Sequence, residues 1–394
     1  MSLLHHLGDA LRLAFAMFWQ VLWPLALGFL LSAIVETVVS KRAITRALGS
    51  DSAKSVAAAG AFGAASSSCS YAAVAVARSL FRKGATFANA IIFEFASTNL
   101  VFELGLVLLI LLGWQFLGAE VAGGIVMVVL LAVIFRLTLN PGLVNEASTQ
   151  SAKGLLGRME GHGAMDMSVT DGPFLRRLFS PRAYTAISHY FFMNIYSVWT
   201  DLVLGFLIAG ALGAWVPDSA WSNLFITGHG ALSEIWGAII GPFIAIFSFV
   251  CSVGNVPLAA VLWRGGISFS GVISFVFADL IIIPILLIYR KYYGARVAGY
   301  LLAVSFVTMV IAGLLVGSLF NLFGATPTNR NVTVFDTTVS WNYDTFLNIA
   351  VILLICVLGV RFLRTGGVEM LRVMEAPPPA EPAVGGAAHA HHAH

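Results

Sequence analysis

Apolar residues fill long stretches of this chain, and polar ones gather between them. Long apolar runs lie near residues 13–39, 85–113, 119–139, 184–214, 268–289, 297–323 and 345–364. Each is long enough for a helix to cross a hydrocarbon layer of ~30 Å. Two more apolar segments, 55–81 and 235–263, are interrupted in the middle, the first by Gly63 to Ser70 and the second by Cys251 to Pro257. Non-helical backbone at membrane depth is tolerated only where protein or a water-filled cavity surrounds it, so the pattern predicts two broken helices. Pro257 suits the first turn of a resumed half-helix, where no N–H donor is needed. The predicted class is all-α, a polytopic transmembrane helical protein.

Composition sharpens this. Of 394 residues, 59% are hydrophobic and 10% charged, with mean hydropathy +0.89; an ordinary soluble domain carries roughly 25% charged residues. Lipid is therefore the expected solvent for most of the surface. The first run contains Glu36 and is followed by no small-residue cleavage site, so it reads as a retained span rather than a signal peptide. A formal charge of +3 gives no reason to expect nucleic acid. Three cysteines make no disulfide framework.

Part of the pattern occurs twice. Cys69, Ser70, Val74, Ala77, Leu80, Arg82, Gly84, Phe87, Ile91, Phe93, Phe95 and Ala96 recur without a gap 182 positions later, from Cys251 and Ser252 to Phe277 and Ala278. Upstream, Leu27-Gly28-Phe29-Leu30 pairs with Leu204-Gly205-Phe206-Leu207 after a five-residue change in spacing. A duplicated membrane unit with an interrupted helix in each half is the layout of a secondary transporter. The expected organisation is a first repeat at 13–140, a linker loop at 141–183 and a second repeat at 184–324. A loop at 325–344, a final span at 345–365 and a disordered tail at 373–394 follow.

Positive charge orients the repeats, because cytoplasmic loops are enriched in Lys and Arg. Lys41, Arg42, Arg46 and Lys54 precede the first broken segment and Arg82 and Lys83 follow it, which puts both its ends on the cytoplasmic side. The second is preceded by residues 215–234, without Lys or Arg, and followed only by Arg264, which puts both its ends outside. If each broken segment is a re-entrant hairpin, each repeat has three full spans and the copies are inverted. If each crosses fully, the copies are parallel, and Arg82-Lys83 and Lys41-Arg42 fall on opposite sides. The charge bias favours the inverted repeat, with Cys69-Ser70 and Cys251-Ser252 approaching each other near the midplane.

A helix broken in the membrane frees backbone N–H and C=O groups and leaves partial charges at the half-helix ends. Ser66, Ser67, Ser68 and Ser70 add hydroxyls at the first break; Ser252, Gly254 and Asn255 add polarity and flexibility at the second. A cysteine at each break is the specific element, since thiolate sulfur prefers soft metals and metalloids. A buried cysteine is also a common small apolar filler, and Cys356, in Leu-Ile-Cys-Val-Leu, reads that way. Ionisable residues in a span are functional suspects by default. Glu94, Ser97 and Thr98 share one helical face, and Asn99 and Glu103 form another i, i+4 pair. The second repeat carries Asp279 at the counterpart of Ser97. Glu94 and Asp279, on either side of a cavity, could couple transport to protons; either could instead pair with a donor for structure. Asn194 and Asp201 are weaker candidates, and His189 is placed near the interface.

Met159, His162, Met165 and Met167 lie in a loop and are not read as a metal site. The tail holds His389, His391, His392 and His394 after a Pro-rich stretch and is excluded from the fold. Walker loop, zinc-ligand spacing and triad are all missing, so neither an enzyme nor a cofactor is expected. Apposed thiols performing redox chemistry, and a channel with the break as its filter, remain open. The expected partners are a small-molecule substrate and the bilayer; a homo-oligomer is left open.

The two motifs resemble those of the ArsP-type bacterial permeases, relatives of the YraQ-like permeases. The resemblance rests on Ser66-Ser-Ser-Cys69-Ser70 with Arg82-Lys83-Gly84, and on Phe249-Val-Cys251-Ser252-Val-Gly254-Asn255-Val-Pro257-Leu. It covers roughly residues 15 to 365 and implies export of trivalent organoarsenicals such as methylarsenite across the inner membrane, with cysteine as arsenic ligand. Cys69 and Cys251 are the matching positions. Many members carry Cys-Ser-Cys at the first break, whereas Ser67 stands here, so a two-thiol site would need one sulfur from each hairpin.

Overall fold

A computed structural model describes residues 3–38, 46–66, 70–151, 167–169, 177–215, 224–226, 228–248, 252–330 and 343–375. Fifteen helices are used below: α1 Leu3–Val38, α2 Ala53–Ser66, α3 Ser70–Arg82, α4 Phe87–Asn99, α5 Phe102–Leu111, α6 Trp114–Thr138, α7 Pro141–Ser151, α8 Pro181–Trp215, α9 Ala231–Ile246, α10 Ser252–Arg264, α11 Phe269–Val276, α12 Ile283–Tyr293, α13 Ala295–Leu322, α14 Tyr343–Arg364 and α15 Gly367–Glu375. A 3₁₀ turn, Phe277–Leu280, follows α11. Among the described residues, four segments are long and apolar enough to cross a membrane (α4 with α5, α6, α13 and α14), five if α11 to α12 counts as one bent span. The protein is all-α and polytopic.

The 182-residue offset of the sequence reappears in the backbone. It carries α3 onto α10 end for end and the start of α4 onto the start of α11. Gly84 and Gly266, one offset apart, close the two turns at φ +109° and +108°, a region glycine enters without a Cβ clash. Thr86 and Ser268, again one offset apart, cap the helices that follow: each side-chain oxygen accepts from a backbone N–H three residues on, that of Asn89 and of Gly271 respectively.

Glycine lets the paired arms lie close to the helices that follow them. A Cβ on Gly63 would stand 2.5 Å from Phe93 O and 2.7 Å from Ala96 Cβ, and one on Gly241 would run into Gly271 O. Such small-residue contact is how helices gain packing where lipid supplies no hydrophobic drive between them. An aromatic trio fills each turn: Phe81, Phe87 and Tyr293 at one, Trp263, Phe269 and Phe116 at the other. In both trios the third ring comes from the opposite half.

Equivalent long helices pack antiparallel. Phe18 meets Phe206 and Trp215 Nε1 donates to His6 O, so α1 and α8 run in opposite directions. Thr138 Oγ1 lies 2.8 Å from Tyr300 OH while Gly118 faces Phe320, so α6 and α13 do too. The turn at 82–86 lies at the Thr138–Tyr300 end of α6 and α13, where Thr86 N donates to Leu48 O. The turn at 264–268 lies at their other end, beside Phe116 and Phe320. The first end also gathers Arg136 on Asp51 O, Gln150 on Lys291 O, and Arg361 on Pro181 O. At the second, the Arg330 guanidinium sits 4.2 Å above the Trp263 ring and donates to Trp263 O and Ile267 O. Last, α14 docks on α1 through Asn348, which accepts from Trp23 N and donates to Trp19 O. The amide thus splices into the i→i−4 ladder just before Pro24.

Two expectations need correction. Within the runs 85–113 and 268–289 the helix breaks, at Leu100–Val101 and at Ile281–Ile282, positions 181 residues apart and so within one residue of the repeat offset. Polar residues flank both breaks, Asn99 and Glu103 at the first and Asp279 at the second, yet each run stays apolar on average, so hydropathy did not reveal them. Pro257 is interior to α10 rather than in its first turn, because that helix already resumes at Ser252. The expected disordered tail, the methionine–histidine stretch from Met159 to Met165 and most of the 325–344 loop lie outside the described residues.

Candidate functional site

The broken spans bring polar groups of both halves together in the interior. Ser70, the first residue of α3, donates through Oγ to Asp279 Oδ2 at 2.6 Å. Asp279 sits in the 3₁₀ turn at the second-half break, where Ala278 leaves helical geometry (φ −91°, ψ 16°). Thr98 and Asn99, at the end of α4, also face this carboxylate. Glu94, one turn earlier on α4, accepts from the Tyr289 hydroxyl of α12. Ser70, Glu94, Thr98 and Asp279 are wholly buried. Glu94 and Asp279 were expected on either side of a cavity; they lie close enough for their charges to interact.

The cluster is under-satisfied. Glu94 Oε2, Asp279 Oδ1 and Asn99 Oδ1 are buried with no hydrogen-bond partner. An isolated buried carboxylate is costly when ionised, and its remedies are a partner, a proton or a ligand. One serine and one tyrosine hydroxyl meet half of this need. The rest of the site is therefore suited to binding a proton or a small polar solute.

The other expected residues divide. Ser97 is buried and its hydroxyl turns back to Glu94 O at 2.8 Å. Ser252 and Asn255 lie, buried, in the first turn of α10, which packs against α5 and the 3₁₀ turn. Asn255 Oδ1 accepts from Ser248 Oγ at 3.2 Å, and its Nδ2 has no partner. Asn99 and Glu103 do not form an i, i+4 pair, because the helix breaks between them. Glu103 instead packs on Gly28 of α1 and faces the buried Glu120 of α6. Ser67, Ser68, Cys69 and Cys251 lie outside the described residues, and so does the side chain of Asp201. Asn194 Nδ2 donates to Glu36 Oε1, a structural tie between α8 and α1. His189 lies 3.2 Å from Thr365, near the arginine-rich end. Cys356 is exposed on α14. Among the described residues, no cluster of His, Cys, Asp and Glu could hold a metal ion.

Tyr289, Arg78 and Glu120 were missed. Tyr289-Arg290-Lys291-Tyr292-Tyr293 reads as an interfacial end of a span, where aromatic and basic residues are common. Its tyrosines face inward because α12 starts afresh after the break. The signal was Pro284, which fits the first turn of a new helix.

A family of predicted permeases (ArsP_1) matches residues 6–318. The chain belongs to this family. The permease is 52% identical over 344 residues to the protein named "Putative permease Rv2963" from Mycobacterium tuberculosis (strain ATCC 25618 / H37Rv), covering 87% of this chain and 85% of that one. No solved structure matches it. Family and apolar helices together make the permease a membrane-embedded transporter.

Proposed function

We propose that this permease is a proton-coupled secondary transporter of the bacterial inner membrane that exports a small, uncharged, thiophilic solute. The best candidate is a trivalent organoarsenical such as methylarsenite. The observation that carries this reading is the Ser70–Asp279 bond. It joins the two halves in the interior, one residue along the chain from the cysteine position that the family resemblance marks. The antiparallel pairing of equivalent helices, with the two hairpin turns at opposite ends, supports an inverted repeat; the arginine-rich end is then cytoplasmic. Rocking of one half against the other would open a cluster that is now closed to either side.

Charge selects among substrates. The interior cluster holds two carboxylates, while Arg78 lies two turns further along α3 from Ser70. An oxyanion entering it would meet repulsion in a low-dielectric setting, so the alternative of a small anion loses ground. A neutral trivalent arsenical meets no such barrier, and a thiolate at Cys69 or Cys251 could ligate it.

The test is resistance to methylarsenite in a sensitive host, paired with accumulation in everted vesicles with and without a proton gradient. Cys69→Ser and Cys251→Ser are each expected to abolish resistance at equal expression. Full resistance from the double variant would eliminate thiol ligation. Accumulation that ignores the gradient would eliminate proton coupling.

A further inference from the structure

We propose that the first half of the permease holds one phosphatidylethanolamine molecule from the leaflet at the arginine-rich end. One acyl chain lies between α2 and α6, and the headgroup occupies an adjoining polar chamber. The inference does not depend on what the permease carries or on how transport is coupled.

The shape of the space carries it first. A groove of about 520 Å³ runs between α2 and α6. Small residues of α2, among them Ala57, Gly60 and Ala61, form one wall, and Val128, Val129 and Val133 of α6 form the other. Ala57, Ala61, Ile125 and Val129 are exposed, so the groove opens sideways to the bilayer. The lining extends over residues 53 to 64 of α2 and 125 to 136 of α6. Eleven residue steps along a helix make about 16 Å, and one leaflet is half of a hydrocarbon layer of ~30 Å. The groove is therefore as long as one leaflet is deep.

Polarity then follows the order of a phospholipid. At the arginine-rich end the groove meets a second cavity of about 550 Å³, and Val56, Ala132 and Arg136 line both. The second cavity is polar in part, with Asp51, Thr86, Asn89 and Asn145 in its lining. The sequence of environments is apolar groove, guanidinium, then carboxylate and amides. A phosphatidylethanolamine presents chain, phosphate and ammonium in that order. Arg136 gives one N–H to Asp51 O at 2.7 Å, which leaves other donors of its fork for a phosphate. Lys54, at the start of α2, adds a second cation at this end.

Asn89 selects the headgroup. It is wholly buried, and its Nδ2 donates to Leu48 O at 3.1 Å and to Ser50 O at 2.7 Å. These bonds fix the amide, yet its Oδ1 has no hydrogen-bond partner. A buried acceptor left alone costs about 1–3 kcal/mol, and an ammonium N–H would satisfy it. Asp51 supplies the matching negative charge. The chain, at its deep end, reaches Leu100 at the first-half helix break. In the second half, α9 and α13 pack more closely than α2 and α6 do. The lipid thus braces the arm whose own packing is looser.

The experiment uses the full chain, purified in detergent and stripped of lipid. Phosphatidylethanolamine, phosphatidylcholine and phosphatidylglycerol with identical chains are added in turn, and retention is read by native mass spectrometry alongside thermal unfolding. Phosphatidylethanolamine should bind about fivefold more tightly than the other two. Phosphatidylcholine has no N–H for Asn89, and phosphatidylglycerol has no positive charge for Asp51. Asp51→Asn should erase the preference over phosphatidylglycerol, and Arg136→Gln should weaken all three by about tenfold. Ala57→Phe fills the groove and should abolish retention of every lipid. Asp51 and Ala57 are exposed, so both variants keep the core packing. Equal retention of the three lipids, untouched by Asp51→Asn and Ala57→Phe, would reduce them to an unspecific coat and overturn the proposal. A preference for phosphatidylglycerol would overturn it in favour of an anionic-lipid site. A dimer that Ala57→Phe dissociates would assign the groove to a second copy, and stabilisation by methylarsenite that Ala57→Phe removes would assign it to the transported solute.

Discussion

Where the second half carries Asp279, the first carries Ser97; where the first carries Glu94, the second carries Val276. Arg78 faces Ala260 across the repeat, Tyr289 faces Val107 and Tyr293 faces Leu111. The turns, caps and helix starts obey the 182-residue offset and the helix breaks come within one residue of it, yet the ionisable groups do not. A backbone shared by two copies needs only small residues, caps and φ-positive glycines, and one solution serves both. Chemistry has no such reason to be duplicated. The acid pair that joins the two halves occurs once, and the other two buried acids that face each other, Glu103 and Glu120, both belong to the first half.

That asymmetry can be broken experimentally. The largest effect is expected from Asp279→Asn, which keeps the shape and removes the titrating group. Proton-driven transport should fall by on the order of 100-fold, whereas Ser97→Asn, at the equivalent place, should cost far less. Vesicle uptake assays decide it, and equal losses would show that position within the repeat matters more than charge. Next comes the serine pair at the helix starts. Ser70→Ala removes a donor from a buried carboxylate and should destabilise by about 1.5–3 kcal/mol. Ser252→Ala should cost under about 1 kcal/mol, since no acid faces it in the same way. Thermal unfolding in detergent separates the two. The smallest effect tests the symmetric part: Gly84→Ala and Gly266→Ala should each cost about 1–2 kcal/mol through backbone strain alone. Their losses should agree closely, and a large difference would mean that the two turns are not equivalent.

The repeat and the apolar helical character could be read directly from the chain, because each leaves a periodic trace. Interior contacts were less legible. Ser70 and Asp279 were both singled out, yet nothing in their spacing of 209 residues says that they touch. The breaks at Leu100–Val101 and Ile281–Ile282 were invisible in hydropathy, since each run stays apolar on average despite Asn99, Glu103 and Asp279, and with them went the true facing of Glu103 and of the α12 tyrosines. Arg78, inside Ala-Val-Ala-Arg-Ser-Leu, carries no mark of burial in its sequence, yet it is buried.

Local composition decides which solvent a segment prefers and where its backbone may turn, so lipid embedding, the all-α class and the sequence repeat followed from residue order. Which acid meets which hydroxyl depends on how one half is laid against the other. That depends on long-range packing, in which a single break rotates every side chain beyond it. The pairing of Ser70 with Asp279 and of Tyr289 with Glu94 could therefore emerge only from the folded arrangement.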